Sequence, residues 1–214
     1  MSENKKVKFR KKLIIIFVIV IVTLLLMYGL TVAIPYFYTK FIPEKTEYIE
    51  NFNFYTPDYS EDIFEDEEYL ARIVNGILEY DNNSNSITMV DLTNANAHGE
   101  QVELLVKMMY SVINGNNVEY NSYFSQKYFK ENLPKDKFTM QKVYNGRITY
   151  FSTETVTVDD VTYNEYTYTL KYQIYENNGT FRKDIGDGCR VQYITISDRE
   201  GKFLIDSITY PRYK

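Results

Sequence analysis

Tyr166-Thr167-Tyr168-Thr169-Leu170-Lys171-Tyr172-Gln173-Ile174 alternates large, more apolar side chains with polar ones at every step. Because successive side chains of a strand point to opposite faces of a sheet, this period of two predicts a β-strand with one apolar face. Further strands are predicted around it at residues 147–158, 190–196 and 203–210, which are rich in β-branched and aromatic residues. We therefore expect an antiparallel meander.

Short polar segments separate these strands. Asp159-Asp160 supplies a hairpin turn, and Asp198-Arg199-Glu200-Gly201 supplies a tight turn with glycine at the position expected to be left-handed. Asn177-Asn178-Gly179 begins a longer connection that also contains Gly186-Asp187-Gly188. Such turn residues mark the places where the chain reverses direction.

The chain before the strands has a helical period instead. Apolar side chains recur at spacings of three and four residues over 67–80, 100–113 and 118–132, which predicts three amphipathic helices, the last closed by Pro134. Their apolar stripes are Leu70, Ile73, Val74, Ile77 and Leu78; Val102, Leu105, Val106, Met109, Val112 and Ile113; and Tyr120, Tyr123, Phe124, Tyr128 and Leu133. The order predicts an α+β domain with three helices packed on a curved antiparallel sheet.

Residues 13–34 contain no charged side chain. At 1.5 Å per residue, a helix over this run is long enough to cross a hydrocarbon core of about 30 Å. Six Lys and Arg residues precede it against one Glu, which predicts a cytoplasmic N-terminus and an outer C-terminal part. The alternative is a cleaved signal peptide with a small-residue site at 31–33, although the apolar part of a signal peptide usually has only about 7 to 15 residues.

The outer part is acidic. The first twelve residues carry +5, which leaves −10 for the remainder of a chain whose net charge is −5. This balance argues against a nucleic-acid partner, because phosphate neutralisation needs clustered Lys and Arg. Cys189 is the only cysteine, so the outer domain has no intramolecular disulfide and must be stabilised by packing. An outer domain without disulfides is typical of a Gram-positive surface protein.

The sequence divides into a basic cytoplasmic tail, 1–12, a transmembrane helix, 13–34, a stalk, 35–66, and an outer domain, 67–214. The stalk interleaves acidic and aromatic residues, and Pro43 and Pro57 interrupt any helix in it. Its charge favours a solvated, extended segment. The alternative is a segment whose aromatic side chains dock on its own domain or on a partner.

Few residues could carry chemistry. His98 is the only histidine and has no assignable nucleophile, so we expect no catalytic role for it. Cys189 fits a packed thiol better than a nucleophile. Asp184-Ile185-Gly186-Asp187-Gly188 resembles a calcium loop only vaguely, since it lacks the run of oxygen ligands and the closing Glu. We therefore predict no catalytic residue, no cofactor and no metal ion.

The tyrosines are the remaining candidates for a ligand pocket or a protein interface, because tyrosine combines an apolar ring with a polar tip. The candidates are Tyr163, Tyr166, Tyr168, Tyr172, Tyr175 and Tyr193. Alternation places Tyr166, Tyr168 and Tyr172 on one strand face and Tyr163 and Tyr175 on the other. The simpler reading is that the first set belongs to the core and the second to ordinary strand surface.

The last hairpin resembles that of the NTF2-like (cystatin-like) superfamily, in which a glycine turn precedes Lys, an aromatic residue, Ile-Asp and an apolar residue. The residues that match this pattern are Gly201, Lys202, Phe203, Ile205, Asp206 and Ile208, within Gly201-Lys202-Phe203-Leu204-Ile205-Asp206-Ser207-Ile208. The resemblance implies helices packed on a long curved sheet, in many members with a cone-shaped cavity. The predicted order of segments is a short basic tail, one membrane helix and one outer domain of this kind. This order is similar to that of the VirB8 and TcpC family of conjugation and type IV secretion components.

That similarity implies a non-enzymatic scaffold of a bacterial envelope machine, which contacts other envelope-complex proteins and forms homo-oligomers. The alternative is a membrane-anchored ligand-binding or sensory outer domain, which a mostly apolar pocket with a few converging polar groups would favour. An enzyme would need paired acid and base groups inside such a pocket. Fold resemblance does not decide among these functions.

Overall fold

The computed structural model describes residue 23 and residues 52–73, 78–81 and 87–211. The predicted tail and, apart from Thr23, the predicted transmembrane segment lie outside the described residues. Within the described residues, no helix is both long and apolar enough to cross a membrane.

The described residues form a mixed α+β domain, as predicted. Its helices are α1 (Glu67–Arg72), α2 (Glu100–Ile113), α3 (Asn117–Ser122) and α4 (Gln126–Phe129), with short 3₁₀ turns at Ile63–Glu65 and Ala95–His98. Its strands are β1 (Leu78–Asp81), β2 (Ile87–Met89), β3 (Lys142–Val158), β4 (Val161–Tyr175), β5 (Gln192–Ser197) and β6 (Leu204–Thr209).

These strands form one sheet in the order β2-β1-β3-β4-β5-β6. Every neighbouring pair is antiparallel except β1 and β3, which are parallel. The β3–β4 hairpin turns at Asp159 and Asp160, both with positive φ, as a two-residue hairpin turn requires. Register shifts in β3 at 144–147 and 150–152 mark bulges, which bend a strand and increase its twist.

Helix α2 has the predicted bounds, and the six residues of its predicted stripe are all buried. They pack with residues of the central strands in one core cluster that includes Ile148, Leu170, Ile194 and Ile205. The helix predicted from the amphipathic period of this segment is therefore confirmed, and the sheet covers its apolar face.

The first predicted helix, over 67–80, is confirmed at Glu67–Arg72 and wrong at 78–80, whereas Val74 and Ile77 of its predicted stripe lie outside the described residues. Residues 78–81 form β1, which pairs with both β2 and β3. The backbone hydrogen bonds offered by two distant segments override a local helical period, which is a weak preference. Within α1, moreover, Tyr69 is fully buried and donates to the Val143 carbonyl at 2.9 Å, whereas Leu70 from the predicted stripe is 38% exposed.

The third predicted helix is also wrong, because it is two short helices. The chain between α3 and α4 pairs with β6: Ile205 N–H donates to the Tyr123 carbonyl at 2.9 Å, and Ser125 N–H donates to the Ile205 carbonyl at 3.0 Å. Ser125 then caps α4 by accepting from Tyr128 N–H. Leu133, assigned to the apolar stripe, is 90% exposed.

Of the predicted stalk, residues 52–66 are described, and they lie against the domain. The Phe52 ring packs on Gly186 and the Phe54 ring on Gly179, while Ile63 is buried in the core. This part of the stalk therefore follows the docking alternative of the sequence analysis.

An ion cluster ties the same segment to β3. The Lys142 ammonium, mostly buried, lies 2.8 Å from a Glu61 carboxylate oxygen, 2.7 Å from Asp66 and 2.7 Å from Glu176. Three acidic partners around one ammonium join the segment before α1 to the sheet and to the end of β4.

Gly115 provides a test of how α2 ends. It has φ of 65°, and the N–H groups of Gly115 and Asn116 donate to Val112 and Ser111, the hydrogen-bond pattern of a Schellman motif. A Cβ at Gly115 would lie 2.7 Å from the Met140 nitrogen, whereas a Cβ at Gly201, with φ of 79°, would meet nothing within 4 Å.

We predict that Gly201→Ala lowers the free energy of unfolding by about 1 kcal/mol, the cost of left-handed backbone alone. Gly115→Ala should cost clearly more, about 2 kcal/mol or above, because the backbone at 139–140 must also move. Urea unfolding followed by circular dichroism measures both. Equal losses would show that the contact at Gly115 is relieved without cost.

Candidate functional site

A cavity of about 140 Å³ lies between the helices and strands β4 to β6. We call it the inner cavity. Its wall contains Met108 and Met109 of α2, Tyr120 of α3, Tyr128 of α4 and residues of β4 to β6; the remaining lining residues are Asn132, Lys135, Tyr172, Phe181, Arg182, Gln192, Ile208 and Tyr210.

A more open cleft of about 350 Å³ shares four lining residues with the inner cavity, so the two spaces adjoin. The shared residues are Tyr120, Tyr128, Asn132 and Lys135. We call this space the outer cleft. Asn132 and Leu133, both exposed, line it at the surface.

The connection between β4 and β5 closes one side of the inner cavity. The Asn177 side chain organises it by donating to the carbonyls of Arg182 at 3.1 Å and Ile185 at 2.6 Å, and by accepting from Gly179 N–H. Phe181 packs between Tyr120 and Phe138, with ring centroids 5.3 and 5.0 Å away. These contacts hold Arg182 in the cavity wall.

Arg182 is the most unusual residue of the site, because it is a charged side chain with only 5% of its surface exposed. Its Nε donates to Asp184 Oδ1 at 2.8 Å and its Nη2 to Oδ2 at 2.7 Å. The third nitrogen, Nη1, is buried and has no hydrogen-bond partner. A buried guanidinium nitrogen without an acceptor is costly and calls for an explanation.

Aromatic rings cover the guanidinium. Its central carbon lies 5.1 Å from the ring centroid of Tyr172 and 5.8 Å from that of Tyr210. The Arg190 guanidinium lies 4.1 Å from the Tyr210 ring centroid and donates to Asp184 at 3.2 Å. Asp184 therefore accepts hydrogen bonds from two arginines.

Lys135 adds a second cation to the cavity wall. Its ammonium donates to the Phe181 carbonyl at 2.7 Å. Burial lowers the pKa of Lys135, and the nearby Arg182 charge lowers it further. None of the described residues lining the inner cavity is acidic. The wall therefore carries two cations, and the carboxylates of Asp184 and Asp136 lie near them.

Tyrosine hydroxyls supply neutral hydrogen-bonding groups. Burial raises the pKa of Tyr172 to about 12, against the opposing charge of Arg182. Burial likewise raises the pKa of Tyr120 well above its ordinary value, and that of Tyr128 above it. All three phenols keep their protons near neutral pH and can donate to an acceptor in the cavity.

The structure does not bring the six predicted tyrosines together, and of these only Tyr172 lines the inner cavity. Tyr168 is buried in the core beside Tyr150, and Tyr166 packs on Phe203. The other three lie elsewhere: Tyr163 is buried near Arg199, Tyr175 donates to Glu68 at 2.6 Å, and Tyr193 meets Phe151.

Sequence reasoning missed Arg182, Lys135 and Tyr210. Tyr120 and Tyr128 were assigned only to a helix stripe. The signal for Arg182 was weak, since it lies in a connection without periodicity, although an arginine directly after Phe181 and two residues before an aspartate could have been noted.

The other candidate residues have structural contacts. His98 ends a 3₁₀ turn and meets the Tyr80 ring edge-on at 5.2 Å. Burial raises the pKa of the half-buried Cys189 thiol, which disfavours the reactive thiolate. Asp184 is held by arginines, and the Asp187 carbonyl accepts from Gln173. Within the described residues, no cluster of three His, Cys, Asp or Glu could hold a metal ion.

No family model, curated protein or solved structure matches the chain. The resemblance to the NTF2-like superfamily and to the VirB8 and TcpC family therefore stays a prediction.

The Asp184 pair predicts a defined response to acid. Burial alone would raise the pKa of Asp184, but Arg182 and Arg190 outweigh it and hold the pKa below its ordinary value. The pair therefore stabilises the fold above the unfolded-state pKa of about 3.9, and this contribution is lost as pH falls towards the lower folded-state pKa.

We predict that Asp184→Asn lowers the free energy of unfolding at pH 7 by about 3 kcal/mol, because Arg182 stays buried without its counter-charge. The variant should also lose less stability than the wild type between about pH 5 and pH 2.5. Denaturant titrations across this range measure both effects. Asp159→Asn in the exposed hairpin turn serves as the control and should keep the wild-type acid slope; an unchanged slope in Asp184→Asn would contradict the prediction.

Proposed function

We propose that this chain is a membrane-anchored, non-enzymatic protein whose outer domain binds a small ligand in the inner cavity and signals its presence. The observation that carries the proposal is the inner cavity of about 140 Å³, whose wall holds Arg182 and Lys135 among tyrosine and apolar side chains. Converging polar groups of this kind can orient a small ligand.

The wall of the inner cavity is more polar than the mostly apolar lining that is usual for a ligand pocket, because eight of its twelve residues carry a polar group. Such a wall suits a small ligand that itself has polar groups. Acid-base chemistry needs a proton donor and acceptor with pKa values near the working pH. On the described wall, the pKa values of Tyr120, Tyr128 and Tyr172 are raised away from neutral pH, and no carboxylate stands beside Lys135 on that wall to act as its acid-base partner.

The proposal also includes the position of the protein in the cell membrane. The uncharged run at 13–34 after six cations supports a single-pass anchor with the N-terminus in the cytoplasm and the domain outside the membrane. An acidic outer part supports a partner other than nucleic acid. A domain in this position could report an extracytoplasmic small molecule to proteins of the envelope.

We predict that Asn132→Trp blocks ligand entry. Asn132 is exposed and lines both the outer cleft and the inner cavity, so an indole there would fill the passage with little effect on the core. Ligand-observed NMR of the full chain in lipid nanodiscs, with a library of small fragments, should detect binders to the wild type and lose them in the variant.

Val118→Trp is the matched control, since Val118 is exposed on α3 and lines neither space. Val118→Trp should change the free energy of unfolding by less than about 0.5 kcal/mol, as surface substitutions do. Asn132→Trp should cost about 0.5 to 1.5 kcal/mol, because it loses the hydrogen bond from its side chain to the Tyr128 carbonyl. If Asn132→Trp binds the same fragments as the wild type, or if the wild type binds none, the proposed ligand site is wrong.

A second candidate function is the assembly role, as a scaffold of an envelope machine such as a conjugative transfer or type IV secretion complex. The observation that favours it is the edge strand β2, at one end of the sheet, where Ile87 and Met89 are about half exposed, as is Leu92 beyond it. An exposed apolar edge strand can pair with another chain.

We predict for this role that Met89→Lys abolishes crosslinked homo-oligomers and lowers the recovery of envelope proteins from native membranes, because a lysine on an edge strand opposes strand pairing. Leu133→Lys is the control, as it adds the same charge at an exposed apolar site away from the sheet edge. Mild crosslinking followed by affinity purification and mass spectrometry gives the measurement. Equal recovery from both variants would remove β2 as the assembly surface.

A further inference from the structure

We infer that residues 52–66, which we call the docked segment, hold the β4–β5 connection in the conformation that closes the inner cavity. Release of this segment from the domain would therefore weaken ligand binding, and a bound ligand would favour docking. The inference rests on the proposed ligand-binding function and adds a means of regulating that same site.

The docked segment contacts the connection at two glycines. A Cβ on Gly186 would lie 2.8 Å from Phe52 Cδ1, and a Cβ on Gly179 would lie 3.0 Å from Phe54 Cγ. Glycine therefore allows each ring to approach the backbone this closely. The ring centroids of Phe52 and Phe54 are 5.8 Å apart, so the two rings form one aromatic pair that covers both glycines.

The two glycines lie on either side of the residues that the connection contributes to the cavity wall. Phe181 and Arg182, which line the inner cavity, come between them in the chain. The Asn177 side chain donates to the carbonyls of Arg182 and Ile185. It also accepts from Gly179 N–H, so this stretch is one hydrogen-bonded unit. A displacement of either glycine would therefore move the wall.

The start of the connection is held through the ion cluster. Glu176, directly before the connection's first asparagine, has φ of 49°, a left-handed conformation that is unfavourable for a residue with a Cβ. Its carboxylate lies 2.7 Å from the Lys142 ammonium. Glu61 and Asp66 of the docked segment bind the same ammonium. Two of the three carboxylates that fix this strained entry to the connection therefore belong to the docked segment.

Little of the docked segment is buried. Ile63 is its one buried residue, whereas Phe54, Tyr55 and Tyr59 are exposed. Segments with few buried apolar contacts open at a lower free energy than a core does. The core cluster of α2 and the central strands includes only Ile63 of this segment. The sheet and α2 would therefore stay folded when the segment is released.

Linkage makes the coupling reciprocal. If release of the docked segment lowers ligand affinity by a given factor, the ligand raises the equilibrium constant for docking by the same factor. The ligand would thus act on the part of the chain that follows the predicted membrane anchor in the sequence. This gives the proposed sensor a route from its cavity to the chain before the domain, without any rearrangement of the sheet.

The first experiment removes the Phe52 contact and needs no ligand. Phe52→Ala, in the full chain in lipid nanodiscs, should speed hydrogen exchange at 177–188 about fivefold or more and leave α2 unchanged, as measured by mass spectrometry. Tyr55→Ala is the matched control, since it deletes an exposed ring of the same segment that lies on neither glycine. It should leave exchange at 177–188 unchanged.

Gly186→Ala tests the same contact from the other side. The φ of Gly186 is not left-handed, so an added Cβ displaces the Phe52 ring without straining the backbone. This variant should reproduce the effect of Phe52→Ala and decides the question if Phe52→Ala fails to fold. The double variant should exchange no faster than either single variant, because both changes remove one contact. Additive effects would contradict the inference.

The second experiment measures the coupling with phenol, which combines one aromatic ring with one polar group. A cavity of about 150 Å³ can hold a benzene ring, so phenol suits the inner cavity of about 140 Å³. In ligand-observed NMR titrations, Phe52→Ala should weaken phenol binding about fivefold, a typical size for coupling between sites. Tyr55→Ala should bind phenol as the wild type does. Phenol should in turn slow hydrogen exchange of residues 52–66 in the wild type.

The outcomes separate the inference from the function on which it rests. Equal phenol affinity in Phe52→Ala and the wild type, lost in Asn132→Trp, would refute the regulation and keep the ligand site. Unchanged hydrogen exchange at 177–188 in both Phe52→Ala and Gly186→Ala would also overturn the inference. If the wild type binds neither phenol nor any other fragment in the cavity, the inference and the proposed function fail together.

Discussion

The burial of one face of α2 against the sheet is the interaction on which the rest of the described structure depends. Six apolar side chains of this helix are removed from water, and each contributes about 1.5 to 3 kcal/mol, which is comparable in sum with the whole stability of a typical domain. The helix ends at Ile113 and the chain turns at Gly115 towards α3 and α4, after which it enters β3. Met108 and Met109 near the end of α2 become one wall of the inner cavity, with the short helices and the β4–β5 connection around it.

Arg182 differs from these apolar residues, because it is charged and yet buried. A buried ion pair usually stabilises a fold no better than well-packed apolar residues of the same volume, because desolvation offsets the attraction. The position next to Phe181, in contact with the core, could have held an apolar side chain. Instead it carries a guanidinium whose Nη1 finds no acceptor within the described residues. Arg182 therefore costs stability at this position, and the proposed ligand site would give it a role in binding.

The elements that could be predicted from sequence are those fixed by local patterns. The α2 stripe, the Asp159-Asp160 turn and the left-handed Gly201 are correct because each depends on residues close together in the chain. The errors at β1 and at the α3–α4 break come from pairing with distant strands, which no local period records. For the site, only Tyr172 could be named. Arg182 comes to the cavity through an irregular connection held by Asn177, and a buried arginine looks like any other arginine in a sequence.

The cluster around Lys142 gives the domain a mechanical property. Tension applied to the chain before residue 52 would travel along the backbone to the rings of Phe52 and Phe54 and then to the carboxylates of Glu61 and Asp66 on Lys142. The contacts of this segment would bear the load before β3 and β4, and they could peel away from the Phe52 end one after another. The docked segment would therefore yield before the strands to which Lys142 and Glu176 join it.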